Sequence, residues 1–206
     1  MNNETKIKYL QKAAIAFIIT GLGYLYFGIP FWFQNAVDIP ASEITHKILP
    51  ALWLRNELFP ASIIFWIQLI SVICIFIGLY SLKKSGEPVG FGTKQNLFYV
   101  PMAGAISYII GTWFIVPFTP LGALLCAIGM IVVGISTLKS RIWTDWKRFI
   151  PLLIGLFPFL FMYPLVYITG QRAYYTIGFW GIPWIVLGIA SWLRSKEILL
   201  NLKQKY

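Results

Sequence analysis

From residue 95 to residue 138 the chain runs for forty-four residues without one Asp, Glu, Lys, Arg or His. A hydrocarbon core about 30 Å thick is crossed by roughly 20 helical residues. The run is therefore long enough to cross twice, with a tight turn at Phe118-Thr119-Pro120. Four further runs free of those residues cover 13–37, 59–82, 149–171 and 173–193. In lipid the backbone finds no water, so a spanning segment is a helix or part of a closed barrel. Runs of this length lack the short alternating segments of barrel strands. The expectation is an all-α integral membrane protein, one domain over 1–206, with six transmembrane helices near 13–33, 59–82, 97–117, 119–138, 149–169 and 173–193.

Composition agrees, since 58% of residues are hydrophobic and 12% charged, against about 45–50% and about 25% in soluble domains. A formal net charge of +10 would suit nucleic acid if the bases formed one stripe beside a recognition motif. They do not, and no nucleic-acid partner is expected. Their placement reads as topogenic. Lys6, Lys8, Lys12, Lys83, Lys84, Lys94, Lys139, Arg141, Lys147, Arg148, Arg194, Lys196, Lys203 and Lys205 fall on one side of the six spans; only Lys47, Arg55 and Arg172 fall on the other. Short basic loops stay cytoplasmic, so both termini are expected inside, with an outer loop at 34–58 and a cytoplasmic tail at 194–206. The expected setting is a cell membrane, a bacterial inner membrane ahead of a eukaryotic one. The first span follows three lysines as a signal peptide would, but it is too long and lacks a small-residue cleavage site. It reads as a retained anchor.

The spans pair into three hairpins that show signs of a threefold internal repeat. Ile75-Phe76-Ile77-Gly78, Ile131-Val132-Val133-Gly134 and Ile185-Val186-Leu187-Gly188 each lead towards a basic residue, and their glycines are 56 and 54 positions apart. The odd spans carry Phe27-x-x-Pro30, Phe114-x-x-Pro117 and Phe161-x-x-Pro164 at their outer ends. Proline is tolerated there because headgroup water serves the freed carbonyl, and glycine lets a neighbouring backbone come close. Kinks are expected at Pro158 and Pro164 in the fifth span and at Pro183 in the sixth. Cys74 and Cys126 sit at different depths in this register, so they read as separate packing thiols, not a disulfide.

No catalytic, metal or cofactor constellation emerges. Glu43 and His46 are three apart in the outer loop, with Glu57 nearby, but one histidine in the chain is thin support for a metal or an acid–base pair. A solvated loop is the plainer account. Residues 83–96 hold Gly86, Gly90, Gly92, Thr93 and Lys94, in the wrong order for a phosphate loop, and read as a flexible linker. Trp143 and Trp146 among basic residues, and Ile198 to Leu202 in the tail, read as interfacial anchors against anionic inner-leaflet lipid. No ionisable residue lies at depth, which disfavours a charge-relay pump. The best candidates for lining a cavity are Gln68, Ser71, Tyr108 and Thr112. The leading functional expectation is a non-catalytic membrane bundle, an accessory or interaction protein, with a membrane-protein partner or a second copy of itself. The alternatives are a channel or carrier for a neutral or apolar solute, and a membrane enzyme with a site in loop 34–58.

Overall fold

The computed structural model describes residues 2–32, 61–114, 118–169 and 174–203. Among these every regular element is helical. In chain order they are α1 (Asn3–Trp32), α2 (Ala61–Ser85), a 3-10 turn (Gln95–Phe98), α3 (Tyr99–Trp113), α4 (Phe118–Ser140), a second 3-10 turn (Asp145–Phe149), α5 (Ile150–Phe157), a π-helical turn (Pro158–Met162), α6 (Tyr163–Thr169) and α7 (Tyr174–Lys203). Five helices are long and apolar enough to cross a bilayer: α1, α2, α4, the composite helix through α5 and α6, and α7. The remaining expected span is α3 with its leading turn, which together rise about 30 Å.

The bundle is inside-out by soluble standards. Thr20, Ser71, Ser81, Thr137 and Ser191 are buried, whereas Leu22, Ile70, Ile106, Ile135 and Leu160 are among the many large apolar side chains left exposed. Small and hydroxylated residues let helices approach in lipid, where lipid tails are as apolar as leucine and no hydrophobic force pulls helices together. Soluble monomers rarely leave contiguous apolar patches of more than a few hundred Å² exposed. The hydroxyls of Thr20, Ser71, Thr137 and Ser191 bond carbonyls of their own or a neighbouring helix: Thr137 Oγ1 donates to Val133 O at 2.8 Å and Ser191 Oγ to Leu187 O at 2.8 Å.

The most extensive contact joins the first helix to the last. Gly21 faces Gly181 so closely that a Cβ on either would overlap the other's carbonyl oxygen, and Gly188 packs on Ala14 and Ile18. Residue numbers therefore rise along α1 as they fall along α7. The two helices are antiparallel, and the start of α1 lies at the same end of the bundle as the close of α7. Both helices exceed their charge-free runs at that end. Ile7 and Leu10 are fully packed in α1, and Ile198 packs against the core from α7, so amphipathic turns continue the helices past the apolar stretch.

The three expected hairpins are not packed alike. The α1–α2 and α3–α4 contacts are broad, α5 meets α7 only narrowly, and α4 packs on α5 in addition to α3. The three aligned glycines likewise meet different neighbours: Gly78 the ring of Phe17, Gly134 the backbone of Leu152, and Gly188 helix α1. Of the outer-end prolines, Pro117 lies outside the described residues and Pro30 lies where only the backbone is described.

Two expectations for the connecting segments are corrected. Residues 86–94 are a folded cap, not a flexible linker: Val89, Phe91 and Thr93 are buried. Gly86 and Gly92 take positive φ values of 78° and 68°, which a Cβ would strain. Trp143 is buried, not interfacial. Its indole donates to Gly90 O at 2.7 Å, and its ring lies 4.2 Å from that of Phe91. Trp146 is exposed.

Candidate functional site

The fifth span shows how the bundle centre is built. Pro158 has no N–H, so the carbonyl four residues earlier, at Ile154, loses its helical partner. The chain opens into the π-helical turn Pro158–Met162, and Trp180 Nε1 donates to Ile154 O at 3.0 Å across the interface with α7. A helix defect is thus satisfied by a side chain from another helix. In α7, by contrast, Pro183 sits inside a continuous helix.

Around Trp180 the centre fills with rings. Trp184 lies 5.9 Å from it edge-on, Tyr24 stacks on Trp180 at 5.8 Å, and Phe17 stacks on Trp184 at 5.4 Å. The seven-residue step from Phe17 to Tyr24 and the four-residue step from Trp180 to Trp184 place these rings on the facing sides of α1 and α7. Tyr24, Tyr108, Trp180 and Trp184 are each at most 1% exposed. The Tyr24 hydroxyl is buried beside the Tyr108 side chain and the Cys126 thiol. Trp184 Nε1 is buried and has no hydrogen bond among the described residues. Cys74 and Cys126 are both free thiols.

The four sequence candidates are not gathered at one place. Ser71 is buried, donates to Ile67 O at 2.7 Å, and accepts at its own carbonyl from Thr20 Oγ1 at 3.0 Å. It lines an open groove of ≈ 580 Å³ between α1 and α2, with Ile19, Leu22, Gly23, Leu25, Tyr26, Ile67 and Ile70. Tyr108 is at the bundle centre instead. Thr112 Oγ1 is engaged with Tyr108 O at 2.9 Å. Gln68 is half-buried, one helical turn before Val72 on the core-facing stripe of α2. Reading the sequence missed Tyr24, Trp180 and Trp184, whose spacings were visible but whose convergence depends on which helices meet. Glu43, His46 and Glu57 lie outside the described residues. Among the described residues no three of His, Cys, Asp and Glu gather to hold a metal.

The end that carries both helix extensions holds the charged chemistry. Lys147, buried, forms an ion pair with Glu197, and Arg194 reaches the same carboxylate at 3.4 Å. Helix α7 is about 45 Å long, so Glu197 stands past its apolar stretch. Burial acts to raise the Glu197 pKa, but Lys147 and then Arg194 outweigh it and hold the carboxyl below its ordinary range. Lys83 lies 3.6 Å over the ring of Tyr99, and Lys6 reaches the cap beside Gly86. Basic residues far apart in sequence thus share one end. Comparison of the chain with protein-family models, curated proteins and solved structures finds no match.

Proposed function

We propose that the protein is a six-helix integral membrane protein of a cell membrane, a bacterial inner membrane foremost, that acts as a non-catalytic bundle supporting interactions with lipid or with another membrane protein. In this reading both termini are cytoplasmic, the basic end faces anionic inner-leaflet lipid, and the three hairpins descend from one repeated unit. The observation that carries the functional part is the bundle centre: Phe17, Tyr24, Trp180 and Trp184 occupy it as packed rings, and among the described residues no carboxylate or basic side chain is seen between them. Packed aromatics give rigidity and a fixed exterior. The Phe and Trp rings give no nucleophile, acid or base with which to turn over a substrate, and the Tyr24 phenol is sealed among them.

The test is reconstitution of the purified protein in sealed liposomes alongside affinity capture from solubilised native membranes. The proposal expects no protein-dependent flux of neutral solutes and a reproducible co-purifying membrane protein or second copy. Solute flux by the protein alone would overturn it in favour of a channel or carrier. That second reading draws on the π-helical turn at Pro158–Met162, since such turns often mark functional sites, and on the buried Trp184 indole, which has no hydrogen bond among the described residues.

A further inference from the structure

Past the end of the groove between α1 and α2, the exposed faces of both helices lead on to lysines at a matching depth. On α1 every exposed residue from Glu4 to Leu22 falls on one helical face: Glu4, Thr5, Lys8, Lys12, Ile15, Ile19 and Leu22. On α2 the exposed face is Trp66, Ile70, Ile73, Ile77, Tyr80 and Lys84. The groove residues Ile19 and Ile70 lead, in seven-residue steps that return to the same side of a helix, to Lys12 on α1 and through Ile77 to Lys84 on α2. Depth can be matched from the contacts between the two helices. Gly23 meets Ser71, Thr20 bonds Ser71 O, and Phe17 meets Gly78. The paired numbers sum to between about 91 and 95, which sets Lys84 level with residues 7 to 11, between Lys8 and Lys12.

An apolar groove is thus followed, along the same two helix faces, by exposed apolar residues and then by cations. Lys12 is eleven residues from Gly23, about 16 Å of helix, close to half the thickness of a hydrocarbon core of about 30 Å. One acyl chain spans that distance. Gly23 and the buried Ser71 keep the groove deep, because a larger residue at either would fill it. The charges around its mouth favour an anion: Lys6, Lys8, Lys12 and Lys84 stand against Glu4 and Glu87. A lysine near a helix end extends its ammonium towards the headgroup layer along an apolar stem.

We infer that the α1–α2 groove, with Lys8, Lys12 and Lys84 at its mouth, is a binding site for one anionic phospholipid, its acyl chain lying along Ile19, Leu22, Ile67 and Ile70 and its phosphate among the lysines. The inference rests on the reading of the chain as membrane-spanning. It differs from general attraction of the basic end to anionic lipid because it assigns one site, one stoichiometry and one face.

The test uses the full-length protein in nanodiscs of phosphatidylglycerol, of phosphatidylcholine or of their mixture, released gently into native mass spectrometry. The inference expects one phosphatidylglycerol retained per protein from the mixture. It expects Lys12→Ala with Lys84→Ala to reduce that retention to the phosphatidylcholine level, and Leu22→Trp to do the same with charge unchanged by filling the groove. Lys139→Ala with Lys196→Ala removes two exposed charges elsewhere at the same end and should leave retention intact; circular dichroism confirms that each variant is folded. Equal retention of both lipids, or equal loss in both lysine pairs, overturns the site while leaving the membrane reading standing. Failure of the wild type to enter nanodiscs at all would instead remove the membrane reading and this site with it.

Discussion

Trp180 and Pro158 show how one residue's deficit becomes another's constraint. The carbonyl of Ile154 is orphaned by the proline and served by the indole at 3.0 Å, so Trp180→Phe keeps a six-membered aromatic ring and removes the donor together with the rest of the indole. Loss of such a bond is expected to cost about 1 kcal/mol, read by reversible unfolding in mild detergent. Pro158→Ala restores the backbone donor. In that background the cost of Trp180→Phe should fall by about the value of the bond, leaving the packing cost of the smaller ring, and a coupling of that sign in a double-mutant cycle identifies the shared carbonyl. Glu197 makes a second residue-scale prediction. Its pKa in the folded protein is depressed by Lys147 and Arg194 against the opposing effect of burial, so its contribution to stability is complete above the unfolded carboxylate pKa and disappears as pH falls through the lower folded value. Thermal midpoints measured from neutral to acid pH should decline along that limb for the wild type. For Glu197→Gln the same limb should be shallower, starting from a lower midpoint at neutral pH.

At the scale of elements, the joint between α1 and α7 depends on two backbones passing within the space a single Cβ would need. Gly181→Leu drives a branched side chain into Gly21 and the Tyr24 side chain. It is expected to destabilise the bundle by about 3 kcal/mol or more, seen as a loss of the monodisperse peak in size-exclusion chromatography. Ile182→Leu, one position on and 47% exposed, should leave the profile unchanged. The helices themselves were legible in the sequence because a run such as 95–138 leaves the backbone no alternative in lipid. Their ends were less so. Ile7, Leu10 and Ile198 extend α1 and α7 among lysines and a glutamate, where a search for charge-free stretches stops too early. The cap at 86–94 was hidden for the opposite reason: Val89 and Phe91 are two apolar residues in a segment rich in glycine, and their burial depends on Trp143, fifty residues away.

For the whole molecule, packing gathers what the sequence scatters. Lys6, Lys83, Lys147 and Arg194 belong to four separate segments, yet Lys6 touches the cap, the cap is held by Trp143, and Lys147 pairs with Glu197 in the last helix. The counting of bases could propose a shared side, since it needs only the order of spans. It could not foresee the aromatic centre: Tyr24 and Trp180 are more than 150 positions apart, and their meeting depends on the first helix packing against the last. Of the sequence candidates, Tyr108 lies at that centre and Ser71 at the outer groove, so a list drawn up from polarity alone mixed two environments. The central claim is that an even number of crossings returns the chain to its basic side. Site-selective labelling measures this directly: Cys74→Ala with Cys126→Ala as background, single cysteines introduced by Asn2→Cys, Glu43→Cys or Asn201→Cys, and a membrane-impermeant maleimide applied to sealed vesicles of known orientation. The account predicts that positions 2 and 201 are labelled from the same face and position 43 from the opposite one. Labelling of positions 2 and 201 from opposite faces would contradict it.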